Sequence, residues 1–336
     1  VLRGNKPLWW SCILLAGTLA CGGDDTAAGD AGDADVPADT AADGCPVTGE
    51  PLDLLGTWAA RAWVVVYMET PGGGIVHLCP DRYYGVSVIT LRVRVHEQAG
   101  TSVRHTFNVC RLRMPLVEAA IDPDCASRVG MQLAVGPRLS AQWPAIDYPG
   151  AAVLGGTEAC ASYEADELVV VFGTDDTIGA RDPLPRWRPG CTASVASCVD
   201  GWEHVVDDDG DVHPGVTLTV DSEPEDLIEG EAYTAFRTVD LLRGTAWNSR
   251  LVRGVVVPSI EYQVLGSDVL VGGAPLATEL VRQNIPVFDV PETGSTFVLL
   301  RADGRHGAPN LDTDRDGEVS CDEILAAEAL FTPYQP

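Results

Sequence analysis

Apolar residues recur at every second position over much of this chain, and that periodicity constrains the fold more than any other feature. Ile89, Leu91, Val93 and Val95 alternate with Thr90, Arg92, Arg94 and His96. Cys110, Leu112, Met114 and Leu116 alternate with Arg111 and Arg113, and Val216, Leu218 and Val220 with Thr217 and Thr219. Successive side chains of a strand point to opposite faces, so each run reads as a strand with one buried face and one wet face. The arginine positions are expected on solvated faces. Further strands are expected at 58–67, 132–135, 168–172, 232–242, 250–257, 260–265 and 297–301. Turn signals separate them, at 71–74, 98–100 and 265–268. Strong helical patterns are few, the best of them at 277–283 and 323–331. Many strands joined by short turns predict a mainly β fold, an antiparallel β-barrel or sandwich.

Gly56-Thr57-Trp58, at the start of the first strand, resembles the Gly-x-Trp opening of lipocalin-type barrels. A core tryptophan after a turn glycine is the simpler account. A loop-rich stretch, 173–214, divides the strands into 45–172 and 215–303. It carries Asp175, Asp176, Pro183, Pro185, Pro189, Cys191 and Cys198. It reads as a connector between two β units or as an insertion in one barrel, and two units are expected. Arg243-Gly244 and Arg253-Gly254 sit in similar contexts, as a hairpin echo would.

Composition changes before residue 45. Arg3 and Lys6 precede an apolar run, 8–20, that is short for a membrane span and ends in small residues, the pattern of a secretory signal in 1–20. The run stops at Thr18-Leu19-Ala20-Cys21-Gly22-Gly23. This resembles the lipobox of bacterial lipoproteins, in which a signal peptidase cuts before a cysteine that then carries lipid. Thr18 departs from the leucine usual at that place. The resemblance implies lipid on Cys21. With Gly22 rather than Asp beside it, sorting to the outer membrane is implied before the inner. An ordinary signal peptide, with Cys21 free or bridged, is the alternative. Residues 21–44 are nearly all Gly, Asp, Ala and Thr, cannot bury apolar surface, and read as a disordered tether.

Of ten cysteines, Cys12 falls in the signal and Cys21 at the lipid site. Cys45, Cys79, Cys110, Cys125, Cys160, Cys191, Cys198 and Cys321 remain. An even number in an exported chain reads as disulfides. Cys110–Cys125 and Cys191–Cys198 are the pairs that close the shortest loops. No CxxC occurs, which argues against a zinc ribbon or a thioredoxin-type site.

Residues 312–323 read Asp-Thr-Asp-Arg-Asp-Gly-Glu-Val-Ser-Cys-Asp-Glu. Oxygen donors stand at loop positions 1, 3, 5, 7, 9 and 12: Asp312, Asp314, Asp316, the carbonyl of Glu318, Ser320 and Glu323. Gly317 falls where such a loop turns sharply, and Val319 points an apolar side chain inward. The twelve residues resemble the EF-hand signature throughout. Hard oxygen ligands imply Ca²⁺ as the cofactor. Gly307 and Pro309 oppose a preceding helix, Leu311 offers an anchor, and a helix follows. The segment 304–336 therefore resembles the loop–helix half-hands of dockerin-like exported proteins. It implies a structural site of extracellular-type affinity, on the order of 10⁻⁴ to 10⁻³ M. A disulfide from Cys321 would pin it to the β body. An acidic turn before a helix is the bland alternative, but clustered carboxylates repel without a cation. Asp207, Asp209 and Asp211 form a second candidate cluster with no closing Glu, equally readable as an acidic turn; His213 beside them reads as a turn residue.

The net charge of −27 opposes binding to nucleic acid or anionic membrane surfaces and favours cations, leaving a lipid anchor as the membrane contact. Six histidines are scattered without zinc spacing. No nucleophile elbow, zincin, dinucleotide or P-loop pattern occurs. The sequence thus reads as a calcium-binding cell-envelope lipoprotein with a non-catalytic binding or structural role, its partner unspecified. A barrel carrier of a small apolar ligand is one alternative, favoured by a deep apolar cavity. A hydrolase of envelope polymers is another, needing facing carboxylates or a nucleophile–base pair in a cleft.

Overall fold

The computed structural model describes residues 44–45, 48–69, 82–117, 130–191, 193–223, 227–285 and 287–334. The leader, Cys21 and the tether up to residue 43 lie outside them, as do Cys79 and Cys125. The first strands are β1 (Gly56–Glu69), β2 (Arg82–Ala99), β3 (Ser102–Arg113), β4 (Leu116–Val117) and β5 (Gly130–Val135). After helix α1 (Pro137–Gln142) come β6 (Tyr148–Leu154), β7 (Ala161–Ala165) and β8 (Leu168–Phe172). A small ribbon, β9 (Arg186–Trp187) with β10 (Val199–Asp200), flanks α2 (Val195–Cys198). There follow β11 (Val216–Glu223), β12 (Ile228–Asn248), β13 (Leu251–Val271), β14 (Ala274–Leu276), α3 (Thr278–Asn284), β15 (Val287–Asp289), β16 (Thr296–Arg301) and α4 (Cys321–Ala326).

Eight strands close into a ring of antiparallel pairs: β1, β2, β3, β6, β7, β12, β13, β16 and back to β1. The fold is a mainly β barrel. Beyond the ring, the first half of β12 pairs β8 and β11, and β5 and β4 extend the sheet from β11. The alternation read from the sequence becomes inside and outside. Trp58, Ala60, Ala62, Val64, Val66 and Met68 of β1 join Leu91, Val93 and Val95 of β2 in the main core. Trp58 is almost fully buried and donates its indole N–H to Leu54 O at 2.8 Å. The Arg301 guanidinium lies 4.8 Å from its ring, is wholly buried, and donates to the carbonyls of Ser249, Leu55 and Asp53. A buried arginine is tolerable because those acceptors, with Asp303 at 3.3 Å, replace its water.

Strands from both sides of 173–214 share this sheet: β1 pairs β16, and β7 pairs β12. Residues Ala41–Pro336 form one compact unit. The stretch 173–214 is therefore an insertion, sealed by Leu184, Trp187, Cys198 and Val199 against Ala235 of β12 and Leu265 of β13. The turn expected at 265–268 is a bulge inside β13. Tyr233 pairs Gly266 and Thr234 pairs Val264, so Leu265 is the extra residue. The strands expected at 250–257 and 260–265 are one, because Pro258 sits where β13 is paired only to β12 among the described residues. The Arg-Gly echo is a cross-strand pair, Gly244 opposite Gly254. A Cβ on Gly254 would lie 2.4 Å from the Gly244 Cα, so both positions need glycine.

Three disulfides join described residues: Cys45–Cys160, Cys191–Cys198 and Cys110–Cys321. The short pair Cys191–Cys198 forms as expected, whereas Cys110 does not join Cys125. Thr90 pairs Arg111 while Leu91 pairs Val109, leaving Cys110 as a bulge residue. The extra residue breaks the alternation, turning Leu112 to the core and Cys110 to the outer wall. There it meets Cys321.

Candidate metal centre and barrel cavity

The C-terminal loop and helix α4 pack on the outer wall of the barrel. Val319, Cys321, Ile324 and Phe331 bury against Ala59, Cys110, Val298 and Ala302, with Leu311 partly buried beside them. Two of the arginines read as solvated also hold this segment: Arg92 donates to the Val319 carbonyl at 3.4 Å and Arg111 pairs with Glu328. Arg253 of β13 adds a contact, 4.7 Å from the Tyr334 ring. A short 3₁₀ turn, Arg305–Gly307, stands where an EF-hand would have its first helix.

The loop is curled by its own carboxylates. Asp312 accepts from the Gly317 N–H at 3.1 Å, Asp314 from Asp316 N–H at 3.1 Å, and Asp316 from Glu318 N–H at 2.8 Å. Gly317 takes φ +95°, which a side chain would oppose. Ser320 caps α4 in a reciprocal box with Glu323. The same Glu323 carboxylate reaches back across the loop to the N–H groups of Thr313 and Asp314. Backbone N–H donors from Ser320 and Thr313 hold its pKa down to about 2, so it is ionised at every ordinary pH. Oxygens of Asp312, Asp314 and Glu323 come within 4.8 Å of one another. Asp312 Oδ1 is shielded from water and has no hydrogen-bond partner. An all-oxygen donor set with one orphaned oxygen fits a hard divalent cation. Of the six expected ligands these three converge. The Asp316 carboxylate is turned to Glu318 N–H, the Ser320 hydroxyl to Glu323, and Glu318 is exposed.

Asp207, Asp209 and Asp211 also come within 4.8 Å. Two hydrogen bonds of this loop match those of the other, while the Asp211 N–H donates to Asp207 where the other loop has Asp316 N–H to Asp314. Val212 N–H donates to Asp207 at 2.9 Å and His213 N–H to Asp211 at 2.8 Å, matching Gly317 to Asp312 and Glu318 to Asp316. Val212 takes φ +71°, where the other loop has Gly317. Asp209 is buried, with Oδ1 unpartnered and Oδ2 accepting from Thr217 N–H at 2.9 Å. Burial, with Asp211 and Asp207 near, pushes its carboxyl above the ordinary range despite that hydrogen bond. His213 sits in the bend before β11 and stacks on Tyr233, ring centroids 4.0 Å apart.

A third feature escaped the sequence reading. The barrel interior holds a cavity of about 70 Å³, walled by side chains of β1, β2, β3, β8, β12, β13 and β15. Its wall is apolar apart from Ser87, Thr238 and Asp240 and the indole of Trp143. Asp240 is fully buried, and desolvation pushes its pKa up to about 7, against a hydrogen bond from Thr238. The signal was its parity: Phe236, Thr238, Asp240 and Leu242 share the inward face of β12. No protein-family model matches the chain, and no curated protein and no solved structure is significantly similar to it.

Proposed function

We propose that this chain is an exported lipoprotein of the cell envelope, anchored in the outer membrane by lipid on Cys21. In it, Ca²⁺ held by Asp312, Asp314 and Glu323 locks the C-terminal loop to a non-catalytic β-barrel. The convergence of those three carboxylates around an orphaned oxygen carries the calcium reading. The Cys110–Cys321 bridge ties the loop to β3, so a bound ion would stiffen the wall it packs on. The ion would neutralise repulsion that otherwise opposes docking of the loop.

Calorimetric titration with CaCl₂ and urea unfolding test this, with Glu323→Gln as the variant. Gln can keep the helix-capping box, so the variant separates the metal from the cap. At 10 mM calcium and a Kd on the order of 10⁻⁴ to 10⁻³ M, wild type should gain about 1.4 to 2.7 kcal/mol. Glu323→Gln should lose that gain. A second equivalent of heat surviving Glu323→Gln, and lost in Asp209→Asn, would assign the 207–211 loop as another site. Absence of heat at millimolar calcium would leave 312–323 as an acidic turn.

A carrier role for the barrel is the second reading, supported by its closed ring of strands around an apolar cavity.

A further inference from the structure

We propose that the barrel cavity binds a small primary alkylammonium ion, with Asp240 as its counter-ion and Thr238 as the hydroxyl beside that carboxylate. The proposal rests on the carrier reading and names the ligand class.

Size comes first. One water needs roughly 10–15 Å³ of such space, so a cavity of about 70 Å³ holds roughly five or six ligand atoms. A four-carbon chain with one head group fits. Leu168, Val170, Phe172, Phe236, Leu242 and Phe288 would cover the chain. The head group is selected by the polar atoms of the wall. Among these the Asp240 carboxylate accepts, the Ser87 and Thr238 hydroxyls can accept, and the Trp143 indole N–H is a donor without a partner. An ammonium is a pure donor with three N–H bonds, which the three oxygens can take. A carboxylate ligand would set a second negative charge in the same apolar space.

Among the described residues, no cation pairs with Asp240. Among the described residues it is the one acidic or basic side chain lining the cavity. Arg237 and Glu261 occupy outward positions of β12 and β13 and pair with each other. Tyr262 packs on Phe288 with its phenol pushed up by burial, so it stays neutral. A buried carboxylate without a counter-ion is unfavourable, and an incoming cation would relieve that cost. The net charge of −27 also enriches small cations around the protein and repels anions. A buried acid that disfavours its own fold is the kind of local conflict that marks binding sites.

The test is calorimetric titration of the full chain with n-butylammonium chloride, n-butanol and sodium butyrate, at pH 5 and pH 8, for wild type and Asp240→Asn. A pKa near 7 leaves roughly one carboxyl in a hundred ionised at pH 5. Butylammonium should therefore bind wild type at least about tenfold more tightly at pH 8 than at pH 5. Asp240→Asn should weaken it at least about tenfold at pH 8 and abolish the pH dependence. Butanol should bind both proteins alike. Equal binding of butylammonium to wild type and Asp240→Asn would overturn the counter-ion role. If butanol or butyrate binds wild type at pH 8 and butylammonium does not, the ammonium proposal falls while the carrier reading stands. If none of the three binds, both fall.

Discussion

Removing the Cys110–Cys321 bridge, as Cys110→Ala with Cys321→Ala, should cost up to about 5 kcal/mol of stability. The two cysteines are 211 residues apart in the chain. A cross-link of that span removes more freedom from the unfolded chain than a short one does, and the logarithmic dependence on loop length gives the stated magnitude. Cys191–Cys198, separated by 7 residues, should matter far less. Alanine is the suitable replacement because both thiols are buried in an apolar cluster, where serine would add an unsatisfied hydroxyl. The urea midpoint should fall and the slope of the transition should steepen, since the unfolded chain becomes less compact. An unchanged midpoint would mean that burial of Val319, Ile324 and Phe331, with the Arg111–Glu328 pair, holds the C-terminal segment without the bridge.

Asp240→Asn should act in the opposite direction, raising stability by up to about 4 kcal/mol at pH 8 and leaving it unchanged near pH 4. The sign follows from proton counting. The unfolded carboxyl titrates near 3.8 and the folded one near 7. Below about pH 4 both states hold the proton and the acid contributes no difference. Between pH 4 and pH 7 the folded state keeps a proton that the unfolded state has released, so stability falls as pH rises. Above pH 7 the folded state carries an ionised, desolvated carboxylate and the loss is complete. About three pKa units at roughly 1.4 kcal/mol each give the magnitude. Asparagine has nearly the same shape, accepts the Thr238 hydroxyl, and does not titrate. Other carboxylates act equally in both proteins and cancel in the difference. Urea midpoints at pH 4.5, 6 and 8 would settle it, and a constant difference across that range would refute the raised carboxyl.

The two loops show how far local sequence reaches. The curled acidic loop from Asp312 to Glu323 was legible because each candidate ligand position of a twelve-residue loop is a local choice. Gly317 supplies the positive φ, and Ser320 with Glu323 starts the helix. The Asp207 loop shares two of the other loop's hydrogen bonds, but its glycine stands at 210 and Val212 takes the left-handed turn. A pattern keyed to glycine at that place passes over it.

The sequence by itself determined the strands, their two-sided character and the oxygen-rich C-terminal loop. Those depend on side-chain period and on residues within a few positions of one another. Tertiary structure alone decided that one barrel forms across the 173–214 insertion, because β16 pairs β1 and β12 pairs β7 over separations that no local pattern encodes. It decided that Cys110 joins Cys321, because a bulge reverses the face of one residue. It decided, too, that Asp240 becomes the isolated acid of an apolar cavity, because closure of the ring converts one face of β12 into an interior.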